Sequence, residues 1–108
     1  MMRLLPVLAL LASVTLTWDA NSEPTLAGYR LYHATSAGGP YTLAATVGKV
    51  TTWEHQSLAA GLHCWVATAY DTSGNESAYS NEACRTVTGA PQTVQLRNRV
   101  RFGGRIGP

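Results

Sequence analysis

The residues of this chain able to do chemistry are three histidines, two cysteines and six carboxylates among 108 residues. His33, His55 and His63 fall in three separate strand-like stretches. No two of them stand at i, i+2 or i, i+4, the spacings that put two imidazoles on one face for a metal. They read as exposed strand histidines. Serines and threonines are plentiful, but no G-x-S-x-G elbow and no phosphate-cradling glycine loop accompanies them. Gly38-Gly39 and Gly103-Gly104 read as turn glycines. Asp19, Glu23, Asp71 and Glu76 follow strands and could gather at one end of a fold, where carboxylates and carbonyls would suffice for a weak calcium site; we do not adopt that reading. No catalytic set, metal or cofactor is expected, so the chain reads as noncatalytic.

The two cysteines bracket the most informative stretch, Leu62 to Val87. In its first run His63, Trp65, Ala67 and Ala69 alternate with Cys64, Val66, Thr68 and Tyr70, which is the period of a strand. The first set is expected to face the core. Asp71, Thr72, Ser73, Gly74, Asn75, Glu76 and Ser77 then supply residues that tolerate positive φ or bond their own backbone, so the chain reverses. A second strand, about Ala78 to Val87, returns beside the first. A hairpin centred near Gly74 pairs residues whose numbers sum to 148, which sets Cys64 opposite Cys84. A disulfide there would close a loop of about 20 residues and stabilise the fold by roughly 3 kcal/mol. It would also imply an oxidising compartment, secreted, extracellular or periplasmic. The alternative is two separate thiols, one on each strand.

These elements belong to a chain of one domain. With 13% charged and 45% hydrophobic residues it is globular in composition. The opening residues MMRLLPVLALLAS carry one charge, Arg3, and a short apolar run, too short to span a bilayer as a helix. Residues 1–13 therefore resemble a secretory signal, or else a buried first strand. The mature chain is expected to hold no membrane span. Strands follow at Val14 to Trp18, Leu26 to His33, Tyr41 to Val47 and Val50 to His55, each bounded by turn residues. No stretch of ten or more residues in this region keeps a 3.6 period. Short strands at this spacing point to an antiparallel β-sandwich.

Several of these segments together resemble the fibronectin type III domain, in its small secreted bacterial or phage-borne form, over about Ser13 to Val87. The matching residues are VTLTWDA with Trp18, the run Leu26 to Tyr32 with Tyr29, Leu58 before the long strand, and Ala69-Tyr70-Asp71 followed by Gly74-Asn75-Glu76-Ser77 and Tyr79-Ser80-Asn81-Glu82. The resemblance implies an all-β, immunoglobulin-like sandwich over 14–88 whose core signature is Trp18, Tyr29, Leu58, His63 and Trp65. Where the family has the tyrosine of its corner, this chain has His63, which can still donate one hydrogen bond to backbone. Asn75-Glu76-Ser77 also fits a glycosylation sequon, but here it belongs to the family's turn.

Family members begin with a strand ahead of VTLTW, and here the signal-like run occupies that place. Removing it leaves the next strand with an unpaired edge. The basic extension 89–108 offers a replacement over 93–102. There Val94, Leu96, Val100 and Phe102 alternate with Gln95, Arg97, Arg99 and Arg101. This candidate assembly strand folds back on its own domain or is donated to a neighbour. Arg97, Arg99, Arg101 and Arg105 form a basic tail, but four charges without an aromatic platform make nucleic acid an unlikely partner. The resemblance implies a secreted module for binding or adhesion, contacting protein or surface polysaccharide. The alternative is a structural subunit of an extracellular or virion filament, joined by strand complementation.

Overall fold

In the computed structural model, which describes residues 12–96, seven strands form two sheets. They are β1 (Ala12–Trp18), β2 (Leu26–Ala34), β3 (Thr42–Val47), β4 (Thr52–Leu58), β5 (Gly61–Asp71), β6 (Ala83–Val87) and β7 (Gln92–Leu96). One sheet has the order β4-β1-β7 and the other β3-β2-β5-β6. The architecture is an all-β sandwich, and no helix occurs among the described residues.

Period-2 alternation builds the interior. Ala12, Val14, Leu16 and Trp18 of β1 are buried, as are Tyr29 and Leu31 of β2, Trp65, Ala67 and Ala69 of β5, and Val87 of β6. Trp18 leans on Tyr29 with ring centroids 5.4 Å apart. On β4 an extra residue changes which side chains point inward. Val14 pairs with His55 but Ala12 pairs with Leu58, so Gln56 and Ser57 bulge out, Ser57 adopting φ 61°. Without the bulge Ser57 would inherit the inward position; with it, Leu58 enters the core.

The hairpin register is the expected one over β6. Gly61 pairs with Val87, Cys64 with Cys84 and Trp65 with Ala83, and Cys64 and Cys84 are joined by a disulfide. The returning strand is shorter than expected, because residues 76–82 run alongside β5 without forming a ladder. There Ser77 and Ser80 substitute for strand pairing. Their N–H groups donate to the carbonyls of Ala69 and Ala67, and their hydroxyls accept from the N–H groups of the same two residues. This strip covers the outer side of β5. Cys64, Val66 and Thr68, the set opposite the core, are therefore as buried as the core set, and of that face only Tyr70 stays half-buried.

β7 lies parallel to β1, with Val14 beside Gln92 and Trp18 beside Leu96. The sandwich is thus mixed at this edge rather than wholly antiparallel. Gly89, at φ 119°, lets the short connection turn from one sheet to the other. Val94 and Leu96 are fully buried, so the core takes in residues beyond 88 and the strand of the extension is described over Gln92–Leu96. Residues 1–11, with the signal-like run, and 97–108, with Val100, Phe102, Arg97, Arg99, Arg101 and Arg105, lie outside the described residues. β1 already begins at Ala12, two residues ahead of the expected domain start.

Candidate functional site

Four of the five tyrosines converge on the outer face of the β3-β2-β5-β6 sheet; the fifth, Tyr29, is in the core. Tyr32 on β2 faces outward because its neighbours Leu31 and His33 face in. Tyr79, from the strip 76–82, lies across β5, with its ring centroid 5.4 Å from that of Tyr32 and 5.4 Å from that of Tyr41. Val66, the cross-strand partner of Tyr32, is buried on this side. The rings flanking Tyr79 are held at their hydroxyls: Tyr32 donates to Glu76, and Tyr41 donates to Glu82. Tyr79 itself has no hydrogen-bond partner among the described residues and is 53% exposed.

The two carboxylates are organised by more than the tyrosines. Glu76 also accepts from Thr68 Oγ1 at 2.6 Å and from Arg30 at 3.0 Å, and Arg30 stacks 4.4 Å over the ring of Tyr70. Burial by itself would raise the Glu76 carboxyl, but the hydrogen bonds from Thr68 and Tyr32 and the Arg30 charge outweigh it and hold the group low. Glu82 accepts from the Gly38 N–H at 2.7 Å. The hydrogen bond from Tyr41 and that N–H hold its carboxyl below the usual range. Burial first, then the adjoining carboxylate, pushes Tyr32 and Tyr41 up to about 12. Both phenols therefore stay protonated donors at neutral pH.

The turn that launches the strip is built on Asp71. Its carboxylate accepts from the N–H groups of Ser73 and Asn75 and from the Asn75 amide, with Gly74 at φ 89° completing the reversal. Glu76 leaves this turn on the outer face. The turn residues Asp71, Gly74, Asn75, Glu76 and Ser77 thus position the tyrosine face instead of gathering into a cation site. Gly28 matters here too: a Cβ at this position would lie 2.2 Å from the Val47 carbonyl oxygen and 2.7 Å from the Tyr70 hydroxyl, which donates to that carbonyl.

No protein-family model and no curated protein matches the chain. Among solved structures, it is similar to the crystal structure of an Fn3-like protein from Clostridium thermocellum, at 21% identity and a TM-score of 0.51, over 84% of this chain and 91% of that one. It is also similar to the solution structure of a human fibronectin type III domain, at 20% identity and a TM-score of 0.50, over 81% of this chain and 59% of that one. The fold is that of a fibronectin type III domain.

Within this fold, His33 and His55 depart from the exposed positions expected of them, while His63 lies on the core-facing side of β5. His33 of β2 and His63 of β5 face inward at one end of the sandwich, and His55 reaches them from β4 in the other sheet. His63 is 7% exposed and the other two are half-buried. The His33 and His55 ring centroids are 4.8 Å apart, with Trp65 5.7 Å from His33 and Trp53 4.9 Å from His55. Strand pairing across the fold, invisible to local spacing, makes this cluster. Its hydrogen bonds fix the protons. His63 Nε2 lies 2.8 Å from the Ala59 carbonyl oxygen and must donate to it, while its Nδ1 shares a hydrogen bond with His33 Nε2 at 2.7 Å. His55 Nδ1 accepts from the Trp65 indole at 3.0 Å, so its proton sits on Nε2. Burial, and then the neighbouring imidazoles His33 and His63, drives His55 down to about 4. Burial and then His63 lower His33 as well.

The remaining surfaces of the fibronectin type III fold hold less chemistry. A shallow depression of about 390 Å³ lies between Ala12, Glu54, Ser57 and Pro91, with Glu54 its one ionisable group. Cys64, Glu82 and Cys84 lie close enough to share an ion, but both sulfurs are committed to the disulfide. Among the described residues no helix is long and apolar enough to cross a membrane.

Proposed function

We propose that the chain is a secreted, noncatalytic binding module that contacts a protein or a surface polysaccharide through the tyrosine face. The observation that carries this reading is Tyr79, exposed between two rings whose hydroxyls are tethered to carboxylates. A tyrosine offers a large apolar surface and a polar tip while losing only two torsions on contact, which suits it to recognition. The flanking tethers mean that little further ordering is needed when a partner arrives. The Cys64–Cys84 disulfide supports an oxidising compartment. The filament reading has no comparable support, because β7 covers the free edge of β1 within its own chain.

The test is retention of the full chain on insoluble cellulose, chitin and peptidoglycan and on a displayed library of extracellular protein domains, compared with Tyr79→Ala. Retention of the native chain lost by at least about tenfold in the variant, at unchanged melting temperature, supports the reading. Retention that ignores the substitution overturns the site. A large assembly in light scattering that collapses when residues 89–108 are removed would favour the filament instead.

A further inference from the structure

We infer that the tyrosine face takes an arginine side chain from a protein partner, stacked on the Tyr79 ring and hydrogen-bonded to Glu82; this rests on the binding role proposed above and names the chemistry that the face recognises. The two carboxylates that tether the flanking rings are not equivalent. Both oxygens of Glu76 are occupied: Oε1 accepts from Arg30, and Oε2 accepts from Thr68 and Tyr32. Glu82 receives both of its bonds, from the Gly38 N–H and the Tyr41 hydroxyl, on Oε2. Its Oε1 takes no hydrogen bond among the described residues, and the residue is exposed. Arg30–Glu76 is the one ion pair among the described residues, so Glu82 has no cation of its own there.

The same sheet face already holds this interaction in finished form. Arg30 lies 4.4 Å over the ring of Tyr70 while its Nη1 donates to Glu76 Oε1 at 3.0 Å, and Tyr70 and Glu76 are backbone bridge partners. A ring, a carboxylate oxygen and a guanidinium complete one another there: the planar cation covers the π face and keeps N–H groups at its rim for the carboxylate. At Tyr79 and Glu82 two of those three parts recur. Tyr41 joins them, with its hydroxyl on Glu82 and its ring centroid 5.4 Å from that of Tyr79, so a single phenol lies between ring and carboxylate. The missing part is the guanidinium.

Two further features favour a cation over a neutral sugar. The planes of Tyr32 and Tyr41 are inclined to that of Tyr79 by 57° and 68°. The three rings therefore make a ridged surface and not the flat platform on which a pyranose stacks, whereas a guanidinium needs only one ring face. The hydrogen bond from Tyr41 and the Gly38 N–H hold the Glu82 carboxyl below its usual range, so the anion persists into mildly acid solution. Lysine, a compact point charge without a planar face, fits ring and carboxylate together less well than arginine.

The probes are the peptide Ac-Gly-Arg-Gly-amide and its citrulline counterpart, titrated into the isotope-labelled, oxidised full chain at pH 7 and followed by amide chemical shifts. Citrulline keeps the shape of arginine and loses its charge. The Gly38 N–H, which donates to Glu82, is the reporter. We expect saturable shifts at Gly38 and Tyr79 with the arginine peptide, and binding of the citrulline peptide weaker by at least about fivefold. Glu82→Gln should weaken the arginine peptide by about fivefold. The glutamine carbonyl can still accept from Gly38 and Tyr41, so that variant is expected to remain folded, with circular dichroism as the check. Equal binding of the two peptides, or an unchanged affinity in Glu82→Gln, overturns the arginine site. The retention assay separates this outcome from failure of the binding role itself. Retention lost in Tyr79→Ala but kept in Glu82→Gln leaves the face a binding surface and removes the arginine, as does retention on a polysaccharide; retention kept in both variants removes the face altogether. Oligomers of the native chain that Glu82→Gln dissolves would give the site to a second copy, and overturn a separate partner.

Discussion

Tyr32 and His33 are consecutive residues of β2 pointing to opposite sides of one sheet, and each anchors a polar network of a different kind. On the outer side Tyr32 donates to an ionised Glu76 that also receives Thr68 and Arg30. On the inner side His33 shares a hydrogen bond with His63, while His55 accepts from Trp65. A carboxylate is tolerable outside, where water and a guanidinium share its charge; inside, a charged imidazole would have too few partners. The difference teaches that one strand pair supports recognition on its wet face and cohesion on its dry one. The inner network should decide stability and the outer one binding.

The largest test of that division is Trp65→Ala. The residue is fully buried, packs against His33 and His63, and bonds across the two sheets to His55. Its loss should cost about 3–5 kcal/mol in urea denaturation. A cost near that of a surface substitution would break the comparison. Next in size is Gly28→Ala, which forces a methyl group onto the Val47 carbonyl under the tyrosine face. A destabilisation of about 1–3 kcal/mol is expected. A neutral result would show that β2 and β3 separate more readily than their pairing implies.

The two networks should also fail at opposite ends of the pH scale. His55 has a folded-state value lowered to about 4, so the unfolded chain binds more protons between there and about 6.5. Its contribution is complete above about 6.5 and is lost as pH falls towards 4. The groups around it are His33, His63 and the two tryptophans, with Arg85 paired across from His63; none is an acid that would rescue the charged form. Stability should fall by on the order of 1 kcal/mol over this range, since a half-buried site is partly screened by water. His55→Gln should flatten the curve. At the other end, Tyr32 and Tyr41 are raised to about 12, so their contribution is complete below about 10 and fades as pH climbs through 12. Phenolate absorbance at 295 nm should show late-titrating tyrosines, and Glu76→Gln should move one of them towards 10. An unshifted titration in that variant would detach Tyr32 from Glu76.

How far these regions could be read from residues alone follows from how local their contacts are. The β5–β6 register and the Cys64–Cys84 pairing lie within one hairpin, so turn chemistry and alternation suffice. Trp18, Tyr29 and Trp65 fall on the core face by period, whereas Leu58 reaches the core only because the β4 bulge shifts the alternation, and its place is implied by the family resemblance alone. The alternation from Val94 to Leu96 marks a strand, but its parallel seat on β1 depends on contacts some 80 residues apart in the chain. The histidine cluster was hidden for the same reason: β2 meets β5, and β4 meets both, only through the sandwich. The burial of Cys64, Val66 and Thr68 was hidden too, because the strip 76–82 covers them by pairing through serine hydroxyls, which no strand pattern encodes. Tyr32, Tyr41 and Tyr79 left a partial signal, since tyrosines at outward or loop positions invite the question of what keeps them there.

The smallest expected effect on stability is also the sharpest test of the division. Tyr79 is 53% exposed, touches Tyr32 and Tyr41 through ring edges, and makes no hydrogen bond among the described residues. Truncating it to alanine removes only those contacts, and the flanking rings keep their carboxylate tethers. Stability should change by no more than about 0.5 kcal/mol, while binding by the face should fall. If Tyr79→Ala were instead to destabilise the fold by about 2 kcal/mol, the ring would be acting as a lid over Val66 and β5. Its exposure would then be a by-product of covering the disulfide-bearing strand, and recognition would have to be sought elsewhere on the sandwich.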